Sequence, residues 1–277
     1  MSTAARPEAT AAAAKAPPEP GALERVGRVA LDMAQTTREL YSVFVRTLYY
    51  CARGRREPGA VLFYMYEIGN RSLFFVTVVM GFLGMISIYQ SGVQALRILP
   101  DLTLMGATFL ELLTRDVAAT IGALMLATRV GAGIAAEIGS MVVTEQVDAL
   151  RMCAADPIDY LIKPRFVASI VMSTVLLIWC GFVAFVSGMI TANLYFGVNT
   201  ETFINLQLVD SVDLGTGLVK CVAYGAAIPI VAGHAGLSTY GGSEGVGWAT
   251  TRAVVNCCLA VLILDVFISA ASFLMFG

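Results

Sequence analysis

Five charged residues lie inside long apolar stretches of this chain, where a charge is costly: Glu111, Arg115, Asp116, Lys220 and Asp265. On insertion scales an Arg, Lys or Asp at the centre of a membrane helix costs about 2.5–3.5 kcal/mol. These side chains should therefore face one another or a wet cavity. Lys220 can reach Asp265 or Asp116, and Arg115 can pair with Glu111, four residues earlier on the same helix face.

Several kinds of chemistry fit such a cluster. It can line a substrate cavity or rearrange during transport, and it can equally be a set of buried ion pairs that fixes helix registry. A proton relay is a third reading, although carboxylates without a membrane histidine support it only weakly. An intramembrane enzyme is not favoured, because the sequence holds no Ser/His pair, metal motif or paired-carboxylate motif at a credible depth.

The sequence offers few residues for a metal site or a disulfide framework. The chain has a single histidine, His234, and no Cys-x-x-Cys, so neither zinc nor another resident cofactor is expected. At least four of the six cysteines fall in apolar segments, where Cys behaves as a small hydrophobe. They are Cys51, Cys153, Cys180, Cys221, Cys257 and Cys258.

The composition indicates a membrane domain. Of the 277 residues, 57% are hydrophobic and 14% are charged, whereas soluble domains have about 25% charged residues. The net charge of −2 gives no basic field for nucleic acid. Five segments reach the roughly 20 apolar residues that a spanning helix needs. They are residues 72–93, 104–128, 167–191, 215–237 and 253–275, in a permease domain over 72–277.

Two further regions precede the spans. Residues 1–20 are rich in Ala and Pro and lack the apolar core of a signal peptide, so a disordered cytoplasmic tail is predicted. Within 21–71, apolar residues recur at helical spacing from Gly21 to Gly54 among arginines and tyrosines. This pattern predicts an amphipathic helix in the headgroup region, or a soluble helix packed on a partner.

The distribution of basic residues predicts the orientation. Ten of the 18 Lys and Arg residues lie at or before Arg71, which places the N-terminus in the cytoplasm. The connection 129–166 is basic and the connection 192–214 has no Lys or Arg. Five crossings then leave the C-terminus on the outer, periplasmic side.

The second span and its continuation are unusual. A small residue recurs at every fourth position, which makes one helix face nearly flat and suits close backbone packing. Beyond Arg129 the pattern becomes amphipathic and charged, which predicts a helix that continues into the cytoplasm as a docking element. The small residues are Ala119, Ala123, Ala127, Gly131, Ala135 and Gly139.

The run from Ala127 to Leu150, ATRVGAGIAAEIGSMVVTEQVDAL, resembles the signature of the MlaE/YrbE family of ABC-transporter permeases. Three later stretches match the same family: Asp156-Pro157 with Pro164-Arg165-Phe166, then the run from Ala249 to Val255, and finally Leu264-Asp265. The resemblance spans roughly Gly21 to the C-terminus. It implies an all-α fold with an interfacial helix, about five spans and a coupling helix after the second.

The resemblance also implies a function. Such permeases form homodimers in the bacterial inner membrane, bind cytoplasmic ABC ATPases that carry the ATP and Mg²⁺, and join a periplasmic MCE-domain protein to move phospholipids. Members carry membrane charges at positions like Asp116, Lys220 and Asp265. Carried over, the ATPase-coupling residues are Glu137, Gly139, Thr144, Glu145, Gln146, Asp148 and Leu150. The lipid site at the dimer interface would be lined by Phe82, Met85, Ile86 and Tyr89.

One departure concerns the second span. Many members have Arg-Glu-Leu-Gly-Pro, whereas this chain has Arg-Asp-Val-Ala-Ala over 115–119. Without the Pro this span is expected to be straighter. The alternative to a non-catalytic permease is an ion-coupled secondary transporter or channel that uses the intramembrane charges and needs no ATPase.

Overall fold

A computed structural model describes residues 22–53, 58–98, 105–204 and 211–276, and throughout these ranges the ordered elements are helices, as predicted. The predicted tail, residues 1–20, lies outside the described residues. The described residues form ten α-helices: α1 (Ala22–Arg53), α2 (Pro58–Ile98), α3 (Met105–Leu112), α4 (Ala118–Leu126), α5 (Ala132–Val143), α6 (Gln146–Met152), α7 (Lys163–Phe196), α8 (Thr200–Phe203), α9 (Ser211–Leu237) and α10 (Gly242–Phe276). Within the same ranges three π-helical turns join some of these helices: Leu113–Val117, Ala127–Gly131 and Ile158–Ile162.

The residues from Leu40 onward form one compact unit, Leu40–Gly277. In this unit Val43 and Thr47, one turn apart, are buried, while the apolar side chains between and beside them are largely exposed. At the end of α1, Tyr50 donates a 2.8 Å hydrogen bond to Asp156 Oδ2. This bond to a carboxylate raises the pKa of Tyr50 above its ordinary value. The headgroup location of α1 stays a prediction.

Five helical runs in the described ranges are long and apolar enough to cross a membrane. Each of the five contains or nearly matches a predicted segment and most extend beyond it. They are Gly59–Arg97, Met105–Val143, Ile158–Phe196, Ser211–Leu237 and Gly242–Met275. A run of 39 residues is about 58 Å long at 1.5 Å per residue, well beyond a hydrocarbon core of roughly 30 Å. The helices therefore project out of the apolar layer, and the predicted boundary at 71/72 falls inside α2.

The second run carries the flat face that the sequence predicts. All six small residues from Ala119 to Gly139 are buried. A Cβ added at Gly139 would lie 2.9 Å from Thr239 Oγ1, and one at Gly131 would lie 3.3 Å from Cys257 Sγ. The small residues thus allow α5 and the preceding π turn to pack closely on α9 and α10 within one chain.

The run is not one regular α-helix. Two π turns interrupt it, and the first, Leu113–Val117, ends directly before Ala118 and Ala119, the positions at which the similar permeases have Gly-Pro. The expected straighter span is therefore replaced by a local change of helical pitch without any proline. The charged continuation is also not a single helix, because α5 ends at Val143 and α6 begins at Gln146. Between them Glu145 has a left-handed φ of 60°, a conformation that turns the chain.

Helices α2 and α7 pack closely against each other at a glycine. A Cβ added at Gly84 would lie 2.3 Å from the carbonyl oxygen of Ala184 and 2.8 Å from its Cα. Because both are backbone atoms, no side chain can move aside to relieve the clash. The α2–α7 interface therefore requires glycine at position 84.

We expect Gly84→Ala to destabilise the chain by about 1–3 kcal/mol, since it overpacks a helix contact. The matched control is Gly81→Ala on the same helix, where the nearest atom to the new Cβ is Val183 Cγ1 at 3.8 Å. Thermal unfolding of the detergent-purified variants measures the difference. Equal unfolding temperatures for the two variants would contradict this account of the interface.

Candidate functional site

Two of the other four intramembrane charges converge on Lys220 of α9. Its side chain is 1% exposed, and its ammonium contacts Asp116 in the first π turn and Asp265 of α10. The Nζ–Oδ1 distance to Asp265 is 2.8 Å. The depth of each residue along its span had suggested either Asp116 or Asp265 as the partner of Lys220. Lys220 contacts both carboxylates, so three helical segments meet at one cation.

Two neutral side chains complete the network. Thr120 Oγ1 and Tyr224 OH donate hydrogen bonds of 3.0 and 2.8 Å to Asp265 Oδ1. Thr120 lies four residues after Asp116, and Tyr224 lies four residues after Lys220. In each pair the charged residue and the hydrogen-bond donor therefore lie on the same side of their helical run. Sequence reasoning missed Thr120 and Tyr224, although the spacing from Asp116 and Lys220 was the signal that could have found them.

The predicted pair of Arg115 with Glu111 is wrong. Arg115 Nη1 lies 3.8 Å from Asp213 Oδ1 at the start of α9, and no ion pair joins it to Glu111 among the described residues. The i,i+4 rule assumes 3.6 residues per turn, whereas Arg115 sits in the π turn Leu113–Val117. The wider turn changes the direction in which Arg115 projects.

The predicted coupling residues separate into exposed and packed groups. Thr144, Glu145, Gln146 and Asp148 are exposed at the corner between α5 and α6. Asp148 forms a 3.0 Å ion pair with Arg151 on the same surface. The corner is anchored by Val147, which is 3% exposed.

The other coupling residues face the chain itself. Gly139 is buried against Thr239, and Leu150 is half-buried. Glu137 lies 2.7 Å from Nη2 of the buried Arg165. Gly139 and Glu137 therefore have structural contacts that the resemblance did not indicate.

The predicted lipid residues lie in the C-terminal half of α2. Phe82, Ile86 and Tyr89 are exposed, and Met85 is half-buried. Tyr89 stacks edge to face on Tyr195 at a centroid distance of 5.5 Å. These side chains form an apolar surface of the single chain, and their role in lipid binding stays a prediction.

A second apolar feature was not anticipated from the sequence. A cavity of about 950 Å³ lies between α2 and α7, with walls that include Leu73, Met172 and Phe182. Trp179 at its edge donates a 2.9 Å hydrogen bond to Thr77 Oγ1. Its wall residues come from two distant segments, so periodicity within either segment could not reveal it.

Replacing Lys220 should be severely destabilising, because Lys220→Met leaves Asp116 and Asp265 as uncompensated carboxylates. Breaking a buried ion pair costs about 3–5 kcal/mol. Tyr224→Phe removes one hydrogen bond to a charged group and should cost about 1.5–3 kcal/mol. The control is Val219→Met, at an exposed position of the same helix.

Unfolding temperatures in detergent should therefore fall in the order Val219→Met, Tyr224→Phe, Lys220→Met. A Lys220→Met variant that unfolds at the temperature of the parent chain would show that the network does not hold the three helices together.

Comparison with known proteins agrees with this architecture. The family described as Permease MlaE matches residues 61–271, which include every residue of the charge network and of the α5–α6 corner. A probable ABC transporter permease protein of Synechocystis sp. is 36% identical over 219 residues, 78% of this chain and 83% of the relative.

Two further relatives carry names that mention lipids. The intermembrane phospholipid transport system permease protein MlaE of Haemophilus influenzae is 32% identical over 215 residues, 76% of this chain and 81% of the relative. The chloroplastic protein TRIGALACTOSYLDIACYLGLYCEROL 1 of Arabidopsis thaliana is 33% identical over 162 residues, 58% of this chain and 46% of the relative. With the family match covering most of the chain, this multi-pass membrane protein belongs to the MlaE permease family.

Proposed function

We propose that this chain is the non-catalytic permease subunit of an ABC transporter that moves phospholipids or related lipids between the inner and outer membranes. It acts as a homodimer in the bacterial inner membrane with a cytoplasmic ABC ATPase and a periplasmic MCE-domain protein. The observation that carries the proposal is the family match over 61–271. The phospholipid named for the relative from Haemophilus influenzae supports the cargo.

The energy for transport has to come from another chain. This sequence contains no Gly-x-x-x-x-Gly-Lys, so the phosphate-binding loop of ABC ATPases is missing from it. The ATP and Mg²⁺ belong to the partner. The exposed corner from Thr144 to Asp148 supports an ATPase contact, because it presents polar side chains where α5 meets α6, beside the buried Val147.

The lipid path is proposed to run along the exposed apolar outer half of α2. Phe82 is 58% exposed and Ile86 62% exposed, so both apolar side chains are accessible to acyl chains or to a second copy of the chain. In a homodimer two such surfaces can face each other and enclose acyl chains. With the lipid path at the outer end of α2, the N-terminus is cytoplasmic and the C-terminus is periplasmic.

Charge reversal at the corner tests the coupling. The double variant Glu145→Lys, Asp148→Lys should no longer copurify with the ATPase, because two carboxylates of the proposed contact become repulsive cations. The control is Glu201→Lys, an exposed carboxylate on α8 in the connection predicted to be periplasmic. Retention of the ATPase by the double variant would refute the assignment of this corner.

Mass spectrometry of lipid bound to the purified complex tests the cargo. Phospholipid should copurify with the parent complex, and Phe82→Gln with Tyr89→Gln should reduce it several-fold, because polar side chains disfavour contact with acyl chains. The control is Phe273→Gln, at an exposed phenylalanine of α10. Absence of bound lipid, or no loss in the double variant, would contradict the lipid path. Gradient-driven flux in liposomes without an ATPase would instead favour an ion-coupled transporter.

A further inference from the structure

A cavity of about 410 Å³ with charged side chains in its walls lies outside the charge network and the α5–α6 corner. Its walls come from α2, the second π turn, α5 and the start of α7, and they carry Arg71, Arg129, Arg165, Glu67 and Glu137. Three arginines from distant parts of the sequence thus meet in one cavity. The resemblance assigns an ATPase-coupling role to Glu137 alone among these five, and neither it nor the comparisons assign a ligand to the cavity.

The charges of this cavity do not balance. Arg71 forms a 2.5 Å ion pair with Glu67, and Arg165 lies 2.7 Å from Glu137. Arg129 is exposed and forms no ion pair with any described residue. Three arginines and two glutamates leave one positive charge, which corresponds to the single negative charge of a phosphodiester.

Arg165 is the buried part of the cavity wall. Its side chain is 1% exposed, with the Tyr64 ring 4.3 Å from the guanidinium carbon. Nη1 donates a 2.6 Å hydrogen bond to the Leu161 carbonyl. Nε has no hydrogen-bond partner in the described structure, and the contact of Nη2 with Glu137 lacks hydrogen-bond geometry. A buried guanidinium with unused donors favours an additional anionic acceptor.

The depth of the arginines indicates where such an acceptor comes from. Arg71 directly precedes the apolar segment 72–93, Arg129 directly follows 104–128, and Arg165 lies two residues before 167–191. All three are therefore at one boundary of the hydrocarbon layer, on the side predicted to be cytoplasmic. Phospholipid phosphates lie at this depth, and basic pockets between membrane helices bind them.

We propose that this cavity binds the phosphate group of an anionic phospholipid from the leaflet on the α6 side of the membrane. Arg129 and Arg71 contact the phosphate oxygens, and Arg165 supplies a fixed buried charge behind them. Arginine suits this role because its planar guanidinium can bind two oxygens at once. The cavity volume is within the range of small-ligand sites.

Gly133 allows a sharp test. It lies on the cavity wall, and a Cβ added there meets no atom within 4 Å. Gly133→Glu therefore neutralises the surplus charge without a steric clash at Cβ, and Gly133→Gln has nearly the same size without the charge. Native mass spectrometry of the full chain in detergent, titrated with dioleoyl-phosphatidylglycerol, measures the binding.

Gly133→Glu and Arg129→Gln should each weaken phosphatidylglycerol binding about tenfold, as expected for loss of one charge-assisted interaction. Gly133→Gln should bind like the parent chain. So should Arg97→Gln, which removes an exposed arginine from the opposite end of α2. Comparing Gly133→Glu with Gly133→Gln also cancels any lipid bound at Phe82 and Tyr89.

Two outcomes would overturn the proposal. The first is equal phosphatidylglycerol binding by Gly133→Glu and Gly133→Gln. The second arises in a parallel titration with inorganic phosphate: Arg129-dependent phosphate binding without a preference for phosphatidylglycerol would identify free phosphate as the ligand. If Arg129→Gln fails to fold, the Gly133→Glu and Gly133→Gln variants, titrated with phosphatidylglycerol and with inorganic phosphate, decide between the two ligands. A failure here leaves the proposed cargo untouched, because the Phe82 and Tyr89 variants test that separately.

Discussion

The contact on which the chain's helical packing most depends is the ammonium of Lys220 between the carboxylates of Asp116 and Asp265. A lysine that is 1% exposed is stable in an apolar layer only if its charge is compensated and its donors are satisfied. The two carboxylates come from different helices, so the ion contact fixes the axial position of both relative to α9. Sliding any of the three by one residue, about 1.5 Å, would lengthen these short contacts.

The ion contact is possible only because small residues bring the backbones together beside it. A Cβ at Gly217, one turn before Lys220, would lie 2.4 Å from the Thr114 carbonyl oxygen. Glycine at this position lets α9 approach the first π turn closely enough for Lys220 to reach Asp116. Farther along, Gly131 and Gly139 allow the same close packing towards α10 and Thr239. Charge and small-residue packing therefore act together, the first fixing register and the second fixing distance.

Much of this arrangement could be predicted from the sequence. Hydropathy located the five spans, and depth along them offered Asp265 or Asp116 as the partner of Lys220, which contacts both. The four-residue period of small residues predicted a flat face that is indeed buried. The coupling role, in contrast, rested on the resemblance alone, because exposed polar residues such as Glu145 and Asp148 do not by themselves identify a partner.

Other features had no sequence signal. The π turn at Leu113–Val117 contains neither Gly nor Pro. No residue type there indicates that Arg115 pairs with Asp213 and not with Glu111. The left-handed φ of Glu145 occurs at a non-glycine residue, which local propensity does not favour. The packing of α5 and α6 on either side offsets the cost of this backbone conformation. This is a tertiary effect, which the local sequence pattern does not indicate.

Both groups of charged residues depend on these irregular turns. The first π turn carries Arg115 and Asp116, and the second, Ala127–Gly131, carries Arg129. A π turn adds a residue to the helical circuit and so rotates the side chains that follow it relative to a regular α-helix. In this chain the second run can therefore keep its small residues buried while it directs charged side chains to two different polar sites. A regular helix with the same residues would have to give up one of these arrangements, because a single 3.6-residue period cannot satisfy the packing face and both charged positions.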